Sequence, residues 1–453
     1  MEEERDVDFS LSVRDPHIRQ ARNKTVKTLL MYFALMTVAV WALLSVFWGS
    51  TYKLEYYFPN VKVYVYDYDS AANANAILGP SVVQYLVGTT STRPHMGVIV
   101  RDPSGKTFDD VASEIVGEKA WAAVVINANA TSNFEQAMAG TGGLLEGEWA
   151  PEGAISLVVA GSRWFQVILE YLLPFLGRYM ETPTLEASHQ AVASFLSSAR
   201  PDTLSTLTAT QQAALATPFA YQNIDLRPIL PKQWAGAAPL EAGLIYYIIF
   251  AFHIAIILLF SRMPLQQSMQ KQGVRISWLH TCLLRLGPVV VGYFFLSLAY
   301  SLINIAFLLP MDGNGYAGFG PQGGFMVFWM LNLLTIFALG LAMESMLTLL
   351  TLRFFPFFLI SWIILNITSS FFPATLAEHF YKYGYAMPFW HTTTATKHIM
   401  WGARNRLGLN FGVLVAWSAL SFCTLCLFEL MWRRIEQRKE RKQRAKDVEG
   451  QAK

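Results

Sequence analysis

Five polar residues interrupt long apolar runs of this chain: His253, Asn304, Asn332, Glu344 and Asn366. An ionisable group surrounded by hydrocarbon is costly, and such groups mark ion and substrate pathways. The five are therefore candidate transport-pathway residues. The competing reading is that the asparagines only join helices through hydrogen bonds worth about 1 kcal/mol each. A second group, His379, His391 and His398, lies in one aromatic, basic stretch. His391 and His398 are seven apart and would share a helix face, but zinc needs further ligands and Glu378 is the one obvious carboxylate. Anchoring at a membrane boundary is the favoured role. Asp67 and Asp69 end a strand-like run and could hold a cation. Cys423 and Cys426 form a CxxC inside an apolar run, where packing is the favoured role. No Ser/His/Asp set is visible, and no GxxxxGK[ST] phosphate loop occurs. The glycine-rich segment 313–324 lacks lysine, follows no strand and reads as a flexible turn. The expectation is of no catalytic residue, no cofactor, no metal and no enzyme.

These residues must be positioned by membrane helices. The chain has 453 residues, 53% hydrophobic and 15% charged, where soluble domains carry about a quarter charged. Six apolar runs stand out, 29–48, 240–260, 286–309, 325–350, 354–372 and 411–432, each long enough for a bilayer core of about 30 Å. Arg14, Arg19, Arg22, Lys24 and Lys27 precede the first run, which reads as an uncleaved signal anchor. Arg262, Lys271, Arg275 and Arg285 follow the second, Arg353 follows the fourth, and a dense basic tail follows Trp432. Basic residues favour the cytoplasmic side, so both termini are expected there. Glu429 and Arg433, spaced i,i+4, form a structural pair in this reading.

The expected fold is an α-helical polytopic membrane protein of six transmembrane helices, with an extracytoplasmic α/β domain inserted between helices 1 and 2. Its parts are a basic N-terminus (1–28), helix 1 (29–48), the α/β domain (49–239), a five-helix domain (240–432) and a basic tail (433–453). In the α/β domain, strands at 61–68, 96–101, 121–126 and 155–160 alternate with helices at 77–87, 108–117, 130–138, 163–180 and 185–199. Residues 203–215 also read as helical. The apolar stretch 155–176 is interrupted by Arg163, Gln166 and Glu170 and is not a span. Asn129-Ala130-Thr131 is a glycosylation sequon, usable if this domain faces the lumen or the outside. Asn23-Lys24-Thr25 also matches but lies on the cytoplasmic side. The connector 374–410 is expected outside, folded onto the membrane surface as short amphipathic helices.

Several stretches together resemble the fungal nitrosoguanidine-resistance membrane proteins, which are related to phage-infection-protein-like proteins and more distantly to ABC-2-type permeases. They are WGSTYK (Trp48–Lys53), VYDYD (Val65–Asp69) with LGP (Leu78–Pro80), and AWAAVVINANATS (Ala120–Ser132). In the second half they are WIILNITSSFFP (Trp362–Pro373), FYKYGYAMPFW (Phe380–Trp390) and GARNRLGLNFGVLVAW (Gly402–Trp417). The resemblance implies one span, a large outer domain and five further spans. It also implies a plasma-membrane protein for export of, or resistance to, toxic amphipathic small molecules. A non-transporting regulator of lipid asymmetry is the first alternative, and a membrane-embedded enzyme acting on a lipophilic metabolite the second. The implied partners are the bilayer and a lipophilic small molecule, with room for a homo-oligomer and none for nucleic acid.

Overall fold

The computed structural model describes residues 16–140, 149–199, 206–229, 236–272, 274 and 276–451. Arg14, Arg275 and positions 203–205 of the expected helix lie outside these ranges.

The chain opens with α1 (Arg19–Gly49), which buries none of its residues within the protein. An apolar helix without protein partners on most of its surface needs lipid as its solvent. A mixed sheet follows, with strands β1 (Lys62–Asp67), β2 (Gly97–Arg101), β3 (Ala122–Ile126), β4 (Ile155–Val159) and β5 (Tyr221–Asp225) in the order β2-β1-β3-β4-β5. β1 pairs parallel with β2 and β3, β4 runs antiparallel to β3, and β5 is parallel to β4. The period-two alternation of β1 explains its two covered faces. Val63 and Val65 join one core with α2 (Leu78–Thr89), α4 (Ala130–Ala139) and α5 (Leu173–Ser198). Tyr64 and Tyr66 join the other with Val111 and Ile115 of α3 (Phe108–Val116). The inner strands β3 and β4 are buried at every position, as their unbroken apolar sequence requires.

The four expected strands and the first three expected helices of this domain are present within two residues of their expected ends. The stretch 155–176 is strand, turn and helix rather than a span. The helices expected at 163–180 and 185–199 are one element: a π-helical turn, Val167–Leu172, runs into α5, which continues through Pro183. Helix α6 (Ala209–Ala216) covers the second half of the expected stretch and ends one residue beyond it. Strand β5 was not expected, because YQNID is a mostly exposed edge strand without an apolar alternation.

The second half is helical: α7 (Gly243–Lys271), α8 (Trp278–Ala306), α9 (Pro321–Phe371), α10 (Pro388–Trp401) and α11 (Leu407–Gln451). Among the described residues, five helices are long and apolar enough to cross a membrane. One of them, α9, has 51 residues, about 76 Å at ~1.5 Å per residue. Its backbone leaves helical geometry at Thr351 (φ 60, ψ 166), so α9 is two rods meeting at that residue. The third membrane-length helix starts eight residues before the apolar run that announced it, with Ser277 capping its first turn by accepting from the His280 amide.

The connector corrects an expectation. Helix α10 is not laid on the membrane surface; its residues are buried except for one half-buried threonine, Thr394. Trp401 and Phe389 are fully enclosed. The aromatic and threonine-rich sequence fits this position, because the helix is wedged between the α/β domain and the bundle and every face meets protein. Gly402, at φ +64, ends it. The Gly402 amide donates to the His398 carbonyl and the Ala403 amide to the Lys397 carbonyl, a Schellman-type end that only glycine adopts readily.

Candidate functional site

The sequence-derived pathway residues do not converge on one cavity. His253 is exposed on the outside of α7, with Nδ1 2.7 Å from the Ile249 carbonyl. Asn304 is buried and donates to the Tyr300 carbonyl one turn back (2.8 Å). Asn332 donates to Ser301 Oγ (2.9 Å), joining α9 to α8. Asn366 donates to the Trp362 carbonyl (2.9 Å) and accepts from the Phe389 amide, joining α9 to α10. Asn332 and Asn366 thus make the helix-joining bonds of the plainer reading, while the Asn304 bond stays within α8.

Glu344 is different. Its side chain is wholly enclosed and meets Arg285 (2.8 Å) from α8 and Arg262 (3.6 Å) from α7. Arg285 also reaches Glu429 of α11 at 3.1 Å, and the expected Glu429–Arg433 pair is present at 3.3 Å. Arg433 in turn donates to the Ile276 carbonyl and to Thr281 Oγ1. One network therefore ties four membrane-length helices together near the end that leads into the basic tail. Sequence reasoning counted Arg262 and Arg285 as loop charges and missed that they fold inward. Glu344, the one carboxylate inside its apolar run, was the signal that a buried cation must face it.

Two of the histidines are structural. His391 places its two ring nitrogens 3.0 Å from Asn410 Oδ1 and 2.9 Å from the Tyr385 carbonyl, and burial pushes its pKa down. His398 Nδ1 lies 2.7 Å from the Ala403 carbonyl, while His379 is exposed. No group of three His, Cys, Asp or Glu side chains able to hold a metal occurs among the described residues. Asp69 is buried, accepting from the Thr131 amide (2.9 Å) and hydroxyl (2.6 Å), and Asp67 accepts from Ser70. Asp67 therefore caps a helical turn, and Asp69 ties two segments of the α/β domain together. The cysteines are free thiols, Cys423 exposed and Cys426 half-buried.

A cavity that the sequence did not announce lies between the α/β domain and the connector. Its volume is ≈ 160 Å³, against the ~10–15 Å³ one water requires. The α/β domain contributes Glu118, Trp121, Arg163 and Trp164; the connector contributes Tyr385, Trp390, Lys397, Arg404 and Arg406. Four cations thus face one carboxylate. Arg163 lies over the Trp121 ring (3.8 Å) and donates to the Ala120 carbonyl (2.6 Å). Lys397 lies over the Trp164 ring (3.6 Å) and donates to the Arg163 carbonyl (3.0 Å). Arg406 pairs with Glu118 at 2.7 Å, and Trp164 donates to the Phe371 carbonyl at the end of α9 (3.1 Å). These contacts hold the α/β domain against the bundle through the cavity walls.

Burial pushes the Lys397 ammonium down to about 7, with Glu241 and Glu118 opposing the shift and Arg163 adding to it. Burial likewise takes Arg163 down to about 10, opposed by Glu118 and reinforced by Arg406 and Arg404. Charge here is poorly compensated by the protein itself, so the cavity is electropositive and suited to an anion. Its aromatic walls suit a ligand that is part apolar. The signal was present in the sequence, in the basic Lys397, Arg404 and Arg406 of a connector expected outside, where basic residues are disfavoured, but their partners in the α/β domain lie more than 200 residues away.

No solved structure matches this chain. An uncharacterized endoplasmic reticulum membrane protein of Saccharomyces cerevisiae is 26% identical over 439 residues, covering 90% of this chain and 81% of that protein. The profile of the DUF3533 family, proteins of unknown function, matches residues 32–423. That match spans the latter part of α1, the whole α/β domain, the cavity and most of the helical half, so this membrane protein belongs to the DUF3533 family.

Proposed function

We propose that this protein handles amphipathic anions at the boundary of its membrane, and through them sets the arrangement of lipids or the tolerance of toxic amphiphiles. The carrying observation is the cationic, aromatic-walled cavity between the α/β domain and the ends of the membrane helices. The sealed asparagines and the outward His253 favour lipid handling over a central export pathway. Exposure of anionic lipid on the two faces of the membrane, measured in cells with and without the chain, should differ. Equal exposure across lipid classes would sink this reading.

The orientation proposed for this function counts the two rods of α9 as separate crossings, which gives six spans and returns both termini to the cytoplasm. The α/β domain then faces the lumen or the outside. Asn129 is exposed at the start of α4, so this orientation predicts one glycan there. Endoglycosidase treatment should sharpen a single gel shift, and Asn129→Gln should remove it; an unshifted protein argues against a lumenal head. The yeast relative is named for the endoplasmic reticulum membrane, and that compartment is proposed here, with the plasma membrane expected from the resemblance as the other outcome of imaging a tagged chain.

Export remains the second reading, favoured by the Arg262–Glu344–Arg285 cluster, an ion network inside the bundle of the kind that permeases use to couple conformations. Cells lacking the protein would then accumulate amphipathic toxins.

A further inference from the structure

The amphiphile reading leaves open which chemical group enters the junction cavity, and the position of its walls answers that. Pro373, Ala374 and Thr375 line it directly after α9 ends at Phe371, and Ala403, Arg404 and Arg406 line it directly before α11 begins at Leu407. The cavity therefore lies at the depth where two membrane-length helices end, which is the headgroup level of a bilayer. Aromatic side chains mark the same level. Trp48 at the end of α1, Tyr52 and Tyr56 beyond it, and Phe380 and Tyr385 in the connector are all exposed. Exposed tryptophan and tyrosine rings gather at membrane–water boundaries.

The positive charge at this depth is only partly matched. The Lys397 side chain is buried, and among the described residues no carboxylate lies within ion-pair distance of it. Burial disfavours the charged form of such a lysine, and an anion supplied from outside would favour it. Arg404 is exposed, while Arg406 already engages Glu118. The cavity has room for a group of several heavy atoms, but not for the acyl chains of a lipid, which would have to lie outside it.

We propose that this cavity is a headgroup site for an anionic phospholipid of the adjoining leaflet, with the phosphate received by Arg404, Arg406 and Lys397 and the glycerol against Tyr385 and Trp390. The proposal rests on the amphiphile-handling reading and names its ligand.

The test uses the purified full-length chain in zwitterionic nanodiscs. Binding of phosphatidylglycerol is measured at fixed salt beside phosphatidylcholine, glycerol phosphate and inorganic phosphate. Phosphatidylglycerol should bind in preference to phosphatidylcholine. Arg404→Gln and Lys397→Gln should each weaken it about fivefold, since one basic residue near an anionic lipid contributes about 1 kcal/mol. Arg404 is exposed, so its variant should fold normally even if the buried lysine variant does not. Phosphatidylglycerol binding unchanged in Arg404→Gln and in a folded Lys397→Gln overturns the site. Glycerol phosphate or inorganic phosphate binding as tightly as phosphatidylglycerol overturns the lipid assignment in favour of a soluble phosphate. A variant that loses phosphatidylglycerol in nanodiscs but keeps wild-type lipid exposure in cells overturns the role of the site and leaves the broader reading standing. Absence of any cellular lipid change on deleting the whole chain defeats the broader reading instead, whatever the nanodisc result.

Discussion

Replacing Glu344 with alanine should remove most of the folded protein recovered from membranes. The carboxylate is fully enclosed and receives Arg285 through Nη2 at 2.8 Å; the same nitrogen also donates to the Glu344 carbonyl at 3.0 Å. Arg262 approaches from α7 at 3.6 Å. Without the carboxylate, two guanidiniums remain in a low-dielectric interior with Glu429 as the remaining counter-charge, itself shared with Arg433. Breaking a buried pair by removing one partner costs about 3–5 kcal/mol, which is comparable to the whole stability of a marginal domain. Thermal unfolding of the detergent-solubilised protein, followed by size-exclusion profile, should show a lower midpoint and aggregation. Glu344→Gln should do nearly as much harm, because the amide keeps the shape but not the charge. A triple change, Arg262→Leu with Arg285→Met and Glu344→Leu, should recover much of the loss, since a buried ionic cluster replaced by apolar groups is often neutral in stability. If the single alanine variant unfolds like the wild type, the network does not hold the four helices together.

This network also shows what the sequence could and could not convey. Glu344 stood out because a carboxylate inside an apolar run demands a partner, but nothing in the local pattern said that Arg262 and Arg285 would supply it. Basic residues next to a span are equally consistent with solvated loop charges. The strands of the α/β domain were legible because alternation in β1 and unbroken apolar runs in β3 and β4 are local signals. Strand β5 was not, because an edge strand needs no apolar pattern and takes its place only from its pairing with β4. The connector was read as a surface segment because Trp, Tyr, His and Lys suit a boundary. Its actual burial depends on the α/β domain closing over it, through contacts such as Trp164 to Phe371 and Lys397 to Arg163 that join residues about 200 positions apart. The cavity belongs to the same class: every wall is legible as a residue, and none as a neighbour of the others.

Gly402→Val should then cost both stability and ligand binding. Gly402 holds φ +64 at the end of α10, where a residue with a Cβ pays about 1–2 kcal/mol for the left-handed conformation. The added Cβ would also run into the Tyr316 Cβ and come within 3.1 Å of the Gly313 carbonyl. Neither neighbour is free to retreat. Tyr316 carries the Arg227 guanidinium on its ring at 3.8 Å, and Arg227 Nε donates to the Gly402 carbonyl at 3.1 Å. Gly313 lies in the glycine-rich segment, which packs against the end of α10 rather than serving as a loose turn. Overpacking of this kind adds about 1–3 kcal/mol, and the displacement falls on Ala403, Arg404 and Arg406, the next residues of the chain and part of the cavity wall. The variant should unfold at lower temperature and bind phosphatidylglycerol more weakly than Arg404→Gln, because it moves both arginines together. Gly412→Ala is the matched control: it lies inside α11, an added Cβ there meets nothing within 4 Å, and alanine in a helix interior is favoured over glycine by about 0.5–1 kcal/mol. Equal behaviour of the two variants would mean that the end of α10 is not fixed by its glycine and that the arginines reach the cavity by another route.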